Sequence, residues 1–189
     1  MTDSAEQPDD ARPGDARPAD AMPGGSYLDT AVAEIEMHVG AAGWDAGPQV
    51  YALVRAGQVT TEDPDVAARL GIDRLDPDML TPIEQGELPA GQLDEVLAQI
   101  EWPPSVAGCA VSQEIVILPP EAEDSISGDD ALEQAAAHPD RREARLVVGV
   151  TRGGASTSLL RLRGAGEDEL LSGSELAPNL VEALLATLA

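Results

Sequence analysis

Apolar positions along this chain recur with two periods, and the switches between them mark out the elements. Leu28, Val32, Ile35 and Val39 repeat at helical spacing behind Ser26 and Asp29, which resemble a capping box. Gly40 and Gly43 close that run, so a helix is predicted over 27–39. Over 49–55, Val50, Ala52 and Val54 alternate with Tyr51 and Leu53; both sides are apolar, which predicts a strand inside a sheet. Leu93, Val96, Leu97 and Ile100 form a second helical stripe, predicting a helix over 90–101 that Trp102-Pro103-Pro104 ends. Residues 106–118 have a strand pattern whose alternation slips at Gln113-Glu114, predicting a bulge or break there. A short Ala-rich helix is predicted over 129–138. Leu180, Val181, Leu184, Leu185 and Leu188 give a last helix over 178–188 its buried face.

The stretches between these runs read differently. Asp63-Pro64 is an N-cap followed by a first-turn proline, and Gly71 stops a short helix at Leu70. Asp76-Pro77 and Thr81-Pro82 repeat the start signal, and Thr81 with Glu84 matches a capping box, so short helical turns are expected through 57–88. Residues 1–25 repeat Asp-Ala-Arg-Pro-Gly, Asp-Ala-Arg-Pro-Ala and Asp-Ala-Met-Pro-Gly. A proline in every unit and no apolar face predict a disordered tail. Loops are expected over 121–128, which is acidic, and over 164–169.

The clearest sheet signal is a hairpin over 143–163, turning at Gly153-Gly154. A two-residue turn would mix charged and apolar groups on each face. A three-residue turn, Arg152-Gly153-Gly154, pairs Thr151 with Ala155 and separates the faces. Leu146, Val148, Val150, Leu160 and Leu162 then share one side, and Arg145, Arg161, Arg163 and Thr157 the other. Register follows the buried pattern, so the three-residue turn is preferred, with Gly154 in the left-handed region. It sets Arg145 opposite Arg161, a like-charge pair that costs a few tenths to about 1 kcal/mol unless an anion answers it. That anion is either a carboxylate of the chain itself, such as Glu114, Glu143 or the Glu167-Asp168-Glu169 loop, or an anionic partner or ligand.

Charge sharpens this point. The formal net charge is −24, there is no lysine, and six of the eleven arginines lie between 141 and 163. Such a chain repels nucleic acid and anionic membranes, and the few aromatics (Tyr27, Trp44, Tyr51, Trp102) make no stacking platform. With no signal peptide and a single cysteine, Cys109, the expected address is the cytoplasm. No phosphate-binding glycine motif or nucleophile elbow occurs. His38, Cys109 and His138 have no metal-ligand spacing, and Asp63-Pro64-Asp65 and Asp76-Pro77-Asp78 lack the calcium-loop pattern, so no cofactor or metal is expected. Cys109 reads as a small buried thiol, and His38 as the surface partner of Glu34 one helical turn back.

Four blocks carry a resemblance: Leu80-Thr-Pro-Ile-Glu-Gln-Gly-Glu-Leu-Pro89, Glu101-Trp-Pro-Pro-Ser-Val-Ala-Gly-Cys-Ala110, Leu118-Pro-Pro-Glu-Ala-Glu123 and His138-Pro-Asp-Arg-Arg-Glu-Ala-Arg-Leu-Val-Val-Gly-Val150. The chain from Ser26 onward resembles a family of small, acidic, uncharacterised actinobacterial proteins. The resemblance implies one domain in an intracellular setting and transfers no activity, cofactor or site.

These readings combine into one α+β domain over 26–189. It is expected to hold an antiparallel or mixed sheet of four or five strands, with helices packed mainly on one face and the arginines on the other. The expected function is a non-enzymatic protein-binding module that meets an acidic protein partner through Arg145, Arg161 and Arg163 and the neighbouring Trp44 and Trp102 loops. The competing expectation is an enzyme or binder of a small anionic ligand, with a pocket gathering Arg145, Arg161, Trp102 and His138.

Overall fold

The computed structural model describes residues 26–88, 93–119, 122, 134–135, 137–164, 170–173 and 176–189. Helix α1 spans Tyr27–Ala42 and opens with the expected capping box. The Ser26 hydroxyl accepts from the Asp29 N–H at 3.2 Å, and the Asp29 carboxylate accepts from the Ser26 N–H at 2.9 Å. Gly43, with φ of 101°, ends the helix. Strand β1 (Gln49–Arg55) runs directly into α2 (Ala56–Glu62). Asp63 caps α3 (Pro64–Leu70) by accepting from the Val66 N–H at 3.0 Å, and Gly71 closes it in the left-handed region, both as predicted. A 3-10 turn (Ile72–Arg74) leads to β2 (Leu80–Glu87). Then follow α4 (Leu93–Leu97), β3 (Gly108–Ile117), β4 (Arg142–Thr151), β5 (Ser156–Leu162), β6 (Leu170–Ser172) and α5 (Pro178–Thr187). Among the described residues, no helix is long and apolar enough to cross a membrane.

Among the described residues the sheet is antiparallel, six strands in the order β2-β1-β3-β4-β5-β6. Six strands exceed the four or five expected; β2 and the three-residue β6, both edges, are the ones not anticipated. Residues 81–84 were expected as a helical start. Instead Leu80–Glu87 pairs with β1, leaving β1 in the sheet interior as its two apolar faces require. Pro82 fits both readings locally, since an edge strand tolerates the missing donor; pairing with β1 decides between them. The break expected at Gln113-Glu114 is absent, and β3 pairs with β4 without a shift from Gly108 to Ile117. The stripe at Leu93–Ile100 is described as a helix only over Leu93–Leu97. The predicted tail over 1–25 lies outside the described residues, as do most of the predicted helix over 129–138 and most of the loops over 121–128 and 164–169.

The hairpin takes the three-residue turn. The Thr151 N–H donates to the Ala155 carbonyl at 2.9 Å, Gly154 has φ of 85°, and Arg145 stands opposite Arg161, Leu146 opposite Leu160 and Val148 opposite Ser158. The two sides do separate. Leu146, Val148, Val150 and Leu160 join Val50, Ala52, Cys109 and Val111 in a core covered by α4 and α5. The placing of the helices differs from expectation. Helix α1 lies on the opposite face, where Leu28, Val32, Ile35 and Val39 pack on Tyr51, Leu53, Ala110 and Val147. Apolar residues in both phases of β1, β3 and β4 explain this: each sheet face has an oily centre, and each must be covered.

Helix α1 approaches the sheet closely at Gly149. A Cβ built there would stand 2.5 Å from Val32 Cγ2 and 3.2 Å from Leu28 Cδ1. Gly149→Ala is therefore expected to lower stability by about 1–3 kcal/mol, since a β-branched neighbour has no other rotamer to retreat to. Adding Val32→Ala should recover part of that loss. Denaturant unfolding of the two single variants and the double variant measures both effects; independent, additive losses would contradict the contact.

Candidate functional site

The arginines of the hairpin are answered from the helix above them. Glu36, only 2% exposed, is held by Arg161 through two bonds, Nε to Oε1 at 2.5 Å and Nη2 to Oε2 at 2.9 Å. Arg145 lies beside the same carboxylate at 3.8 Å and beside Glu114 at 3.8 Å. Arg145 is itself 1% exposed, and its Nη2 donates to the Gly43 carbonyl, one of the free carbonyls at the end of α1. Its guanidinium carbon sits 4.5 Å from the centre of the Trp44 ring. The like-charge pair predicted from register thus forms a buried cluster with its counter-charges inside the protein.

Arg163 extends the cluster toward solvent. It grips Asp45 through Nη1 at 2.7 Å and Nη2 at 3.0 Å, and reaches Glu143 at 2.7 Å. Its guanidinium carbon is 5.4 Å from the Trp44 ring centre, so both Arg145 and Arg163 reach that ring. Asp45 has φ of 70°, a left-handed conformation that Asp adopts more readily than most residues. Its N–H donates to both oxygens of Glu114 at 2.9 and 3.0 Å, which fixes the turn after α1. Hydrogen bonding from Arg163 holds the Asp45 carboxyl below its ordinary range, and Asp45 and Glu143 together push Arg163 further up.

Of the carboxylates named from sequence, Glu114 and Glu143 take part, and residues 167–169 lie outside the described residues. Glu36 and Asp45 were missed. Glu36 did leave a signal, since it falls inside the apolar arc of α1, one turn after Val32 and beside Ile35. Asp45 left none, because its role depends on where the loop after α1 returns.

The structure does not gather the residues of the alternative pocket. Arg145 and Arg161 lie under α1, whereas Trp102 packs at the edge of the core under α5. The Trp102 N–H donates to the Thr187 carbonyl at 3.2 Å. Arg152, at the hairpin tip, donates to the carbonyls of Val106, Trp102 and Pro103 at 2.8, 2.9 and 3.0 Å and also to that of Leu188, which ties the hairpin to the end of α5. His138 is half-buried in the turn before β4, its Nδ1 accepting from the Asp140 N–H at 3.2 Å. Cys109 is fully buried, with Sγ 3.5 Å from the Thr187 hydroxyl. Burial pushes its thiol up, away from the direction a nucleophile needs.

A different surface is open. The six strands span about 25–30 Å, and a single helix is about 10–12 Å across, so α1 cannot cover its face of the sheet. Between α1 and the corner formed by α3, the 3-10 turn and β2 lies a groove of about 490 Å³. Ile35, Leu70, Ile72, Leu75, Met79, Leu80 and Pro82 give it an apolar floor and wall. Leu70 is 66% exposed and Leu75 40%. Tyr51 lines the inner end; its hydroxyl donates to Gln49 Oε1 at 2.7 Å, and burial together with the Glu84 charge pushes its pKa up to about 12. His38 pairs across the groove with Glu84 at 3.7 Å, rather than with Glu34 as expected from helical spacing.

A family model described as PPA1309-like protein matches residues 28–189, and the chain belongs to that family. No curated protein and no solved structure matches it.

The arginine cluster makes a graded prediction. Glu36→Ala strands two guanidinium groups beneath a helix and is expected to cost about 3–5 kcal/mol in denaturant unfolding. Arg163→Ala, at the solvent edge, should cost much less. Because the folded Asp45 carboxyl is lowered, its contribution is present above the unfolded carboxylate pKa and is lost as pH falls through the folded value. Asp45→Asn should therefore flatten the acid limb of the stability curve. Equal losses for Glu36→Ala and Arg163→Ala would contradict the buried assignment.

Proposed function

We propose that this PPA1309-like protein is a non-enzymatic, intracellular binding module that docks a segment of another protein in the groove between α1 and β2. The observation that carries this reading is the incomplete cover of the α1 face. Leu70 and Leu75 stand exposed beside a concave apolar wall, where water would otherwise cover both. Concavity and exposed large aliphatic side chains on a rigid sheet-and-helix frame are what a docked segment uses. The arginine cluster serves this function indirectly. It fixes α1, and α1 forms one wall of the groove. An acidic partner at the arginines would have to compete with Glu36, Glu114, Asp45 and Glu143, so the reading moves the docking surface across α1 from the hairpin to the β2 side.

Leu70→Ser and Leu75→Ser, combined, are expected to leave circular dichroism and Tm nearly unchanged, because exposed side chains contribute little to folding. The same variant should lose partners that the wild-type chain captures from native lysate. Identical capture profiles for the folded variant and the wild type would refute the groove as the docking surface.

A further inference from the structure

The groove has a sign as well as a shape. Its rim holds Glu34 on α1 and Glu84 on β2, both exposed, and among the described residues no arginine lines it. Among the described residues His38 is its one basic side chain, and that ring already lies beside Glu84. The segment that builds the outer wall, 56–88, has Glu62, Asp63, Asp65, Asp73, Asp76, Asp78, Glu84 and Glu87 against Arg69 and Arg74. The whole chain bears −24. A second copy seated here would bring carboxylates against carboxylates, and an acidic segment would meet the same repulsion. Complementarity therefore selects a cation, and the apolar wall selects aliphatic or aromatic side chains beside it.

Resting on the docking reading above, we infer that the groove takes a basic amphipathic segment of a partner protein, with its apolar side chains against Leu70, Leu75, Met79 and Pro82 and its Lys or Arg residues at Glu34 and Glu84. Electrostatic attraction brings the segment in and sets its direction, while the apolar wall holds it. Binding should accordingly weaken with salt without vanishing.

The test uses the full chain and a fluorescently labelled peptide of leucine and lysine, patterned to place the leucines on one helical face. The control is the same peptide with every lysine replaced by glutamate. Anisotropy titrations at about 50 mM and about 300 mM salt are compared for the wild type, the Leu70→Ser/Leu75→Ser variant and a Glu34→Gln/Glu84→Gln variant, each shown to be folded by circular dichroism. The expected result is saturable one-to-one binding of the lysine peptide, weakened about tenfold or more by the leucine substitutions. The glutamine variant should weaken it at low salt and less at high salt, and the glutamate peptide should not bind. Equal affinity of the lysine peptide for the wild type and the leucine variant would overturn the inference, since binding would then be diffuse attraction to an acidic surface. A glutamate peptide that binds, and is released by the leucine substitutions, would overturn the charge assignment and leave the docking surface standing. A concentration-dependent dimer in analytical ultracentrifugation, broken by those substitutions, would replace the basic segment with a second copy of the chain. Binding of neither peptide would overturn the basic occupant, while the capture comparison with the leucine variant still decides the docking reading independently.

Discussion

Glu36 is a carboxylate that water almost cannot reach, and it faces two guanidinium groups that a strand register has forced side by side. Neither party is stable there alone. Arg145 and Arg161 stand opposite each other because the apolar residues of β4 and β5 must share the other face. Burying α1 over them without Glu36 would leave the buried Arg145 with Glu114 alone and Arg161 without the carboxylate it grips, and burying Glu36 without them would leave a desolvated anion. The contact joins helix α1 to a hairpin more than a hundred residues later, its partners 125 positions apart. It therefore fixes where α1 sits, and with α1 the turn at Gly43–Asp45 and the wall of the groove.

The same interaction ties the arginine excess to the chain's own carboxylates. A cation on an exposed sheet face is available to a partner. One that is 1% exposed, stacked on Trp44 and bonded to a helix-terminal carbonyl is committed to the fold. Arg161 is partly exposed but gripped by Glu36, and Arg163, the most exposed of the three, is shared between Asp45 and Glu143. The open part of the molecule lies elsewhere: beside α1, on the β2 side, part of the sheet face is uncovered, apolar within and with Glu34 and Glu84 at its rim.

Caps, stops and the hairpin turn held where a few neighbouring residues decide the outcome. The Ser26–Asp29 box, the Asp63 cap with Pro64, the Gly71 stop and the three-residue hairpin turn all depend on contacts within a handful of positions, and all formed. Thr81-Pro82 misled because its local chemistry suits both a helix start and an edge strand. The slip at Gln113-Glu114 misled for a related reason: a charged residue in an apolar phase can mark a bulge or a buried ion pair, and Glu114 is paired with Arg145 in an unbroken ladder.

Sequence by itself determined which residues share a face. Period-two alternation through 145–162 placed Arg145 against Arg161 and Leu146 against Leu160, because strand geometry leaves no other arrangement once one side is buried. It also showed that a like-charge pair needed an anion. Only the tertiary structure decided which anion answered and from which side. Periodicity orients side chains within an element but contains no information about which other element will cover them. Both faces of the central strands are apolar, so α1 could have joined α4 and α5 over the Leu146 side. Packing put it over the arginines, where Glu36 completes the charge balance and Gly149 leaves room for Val32.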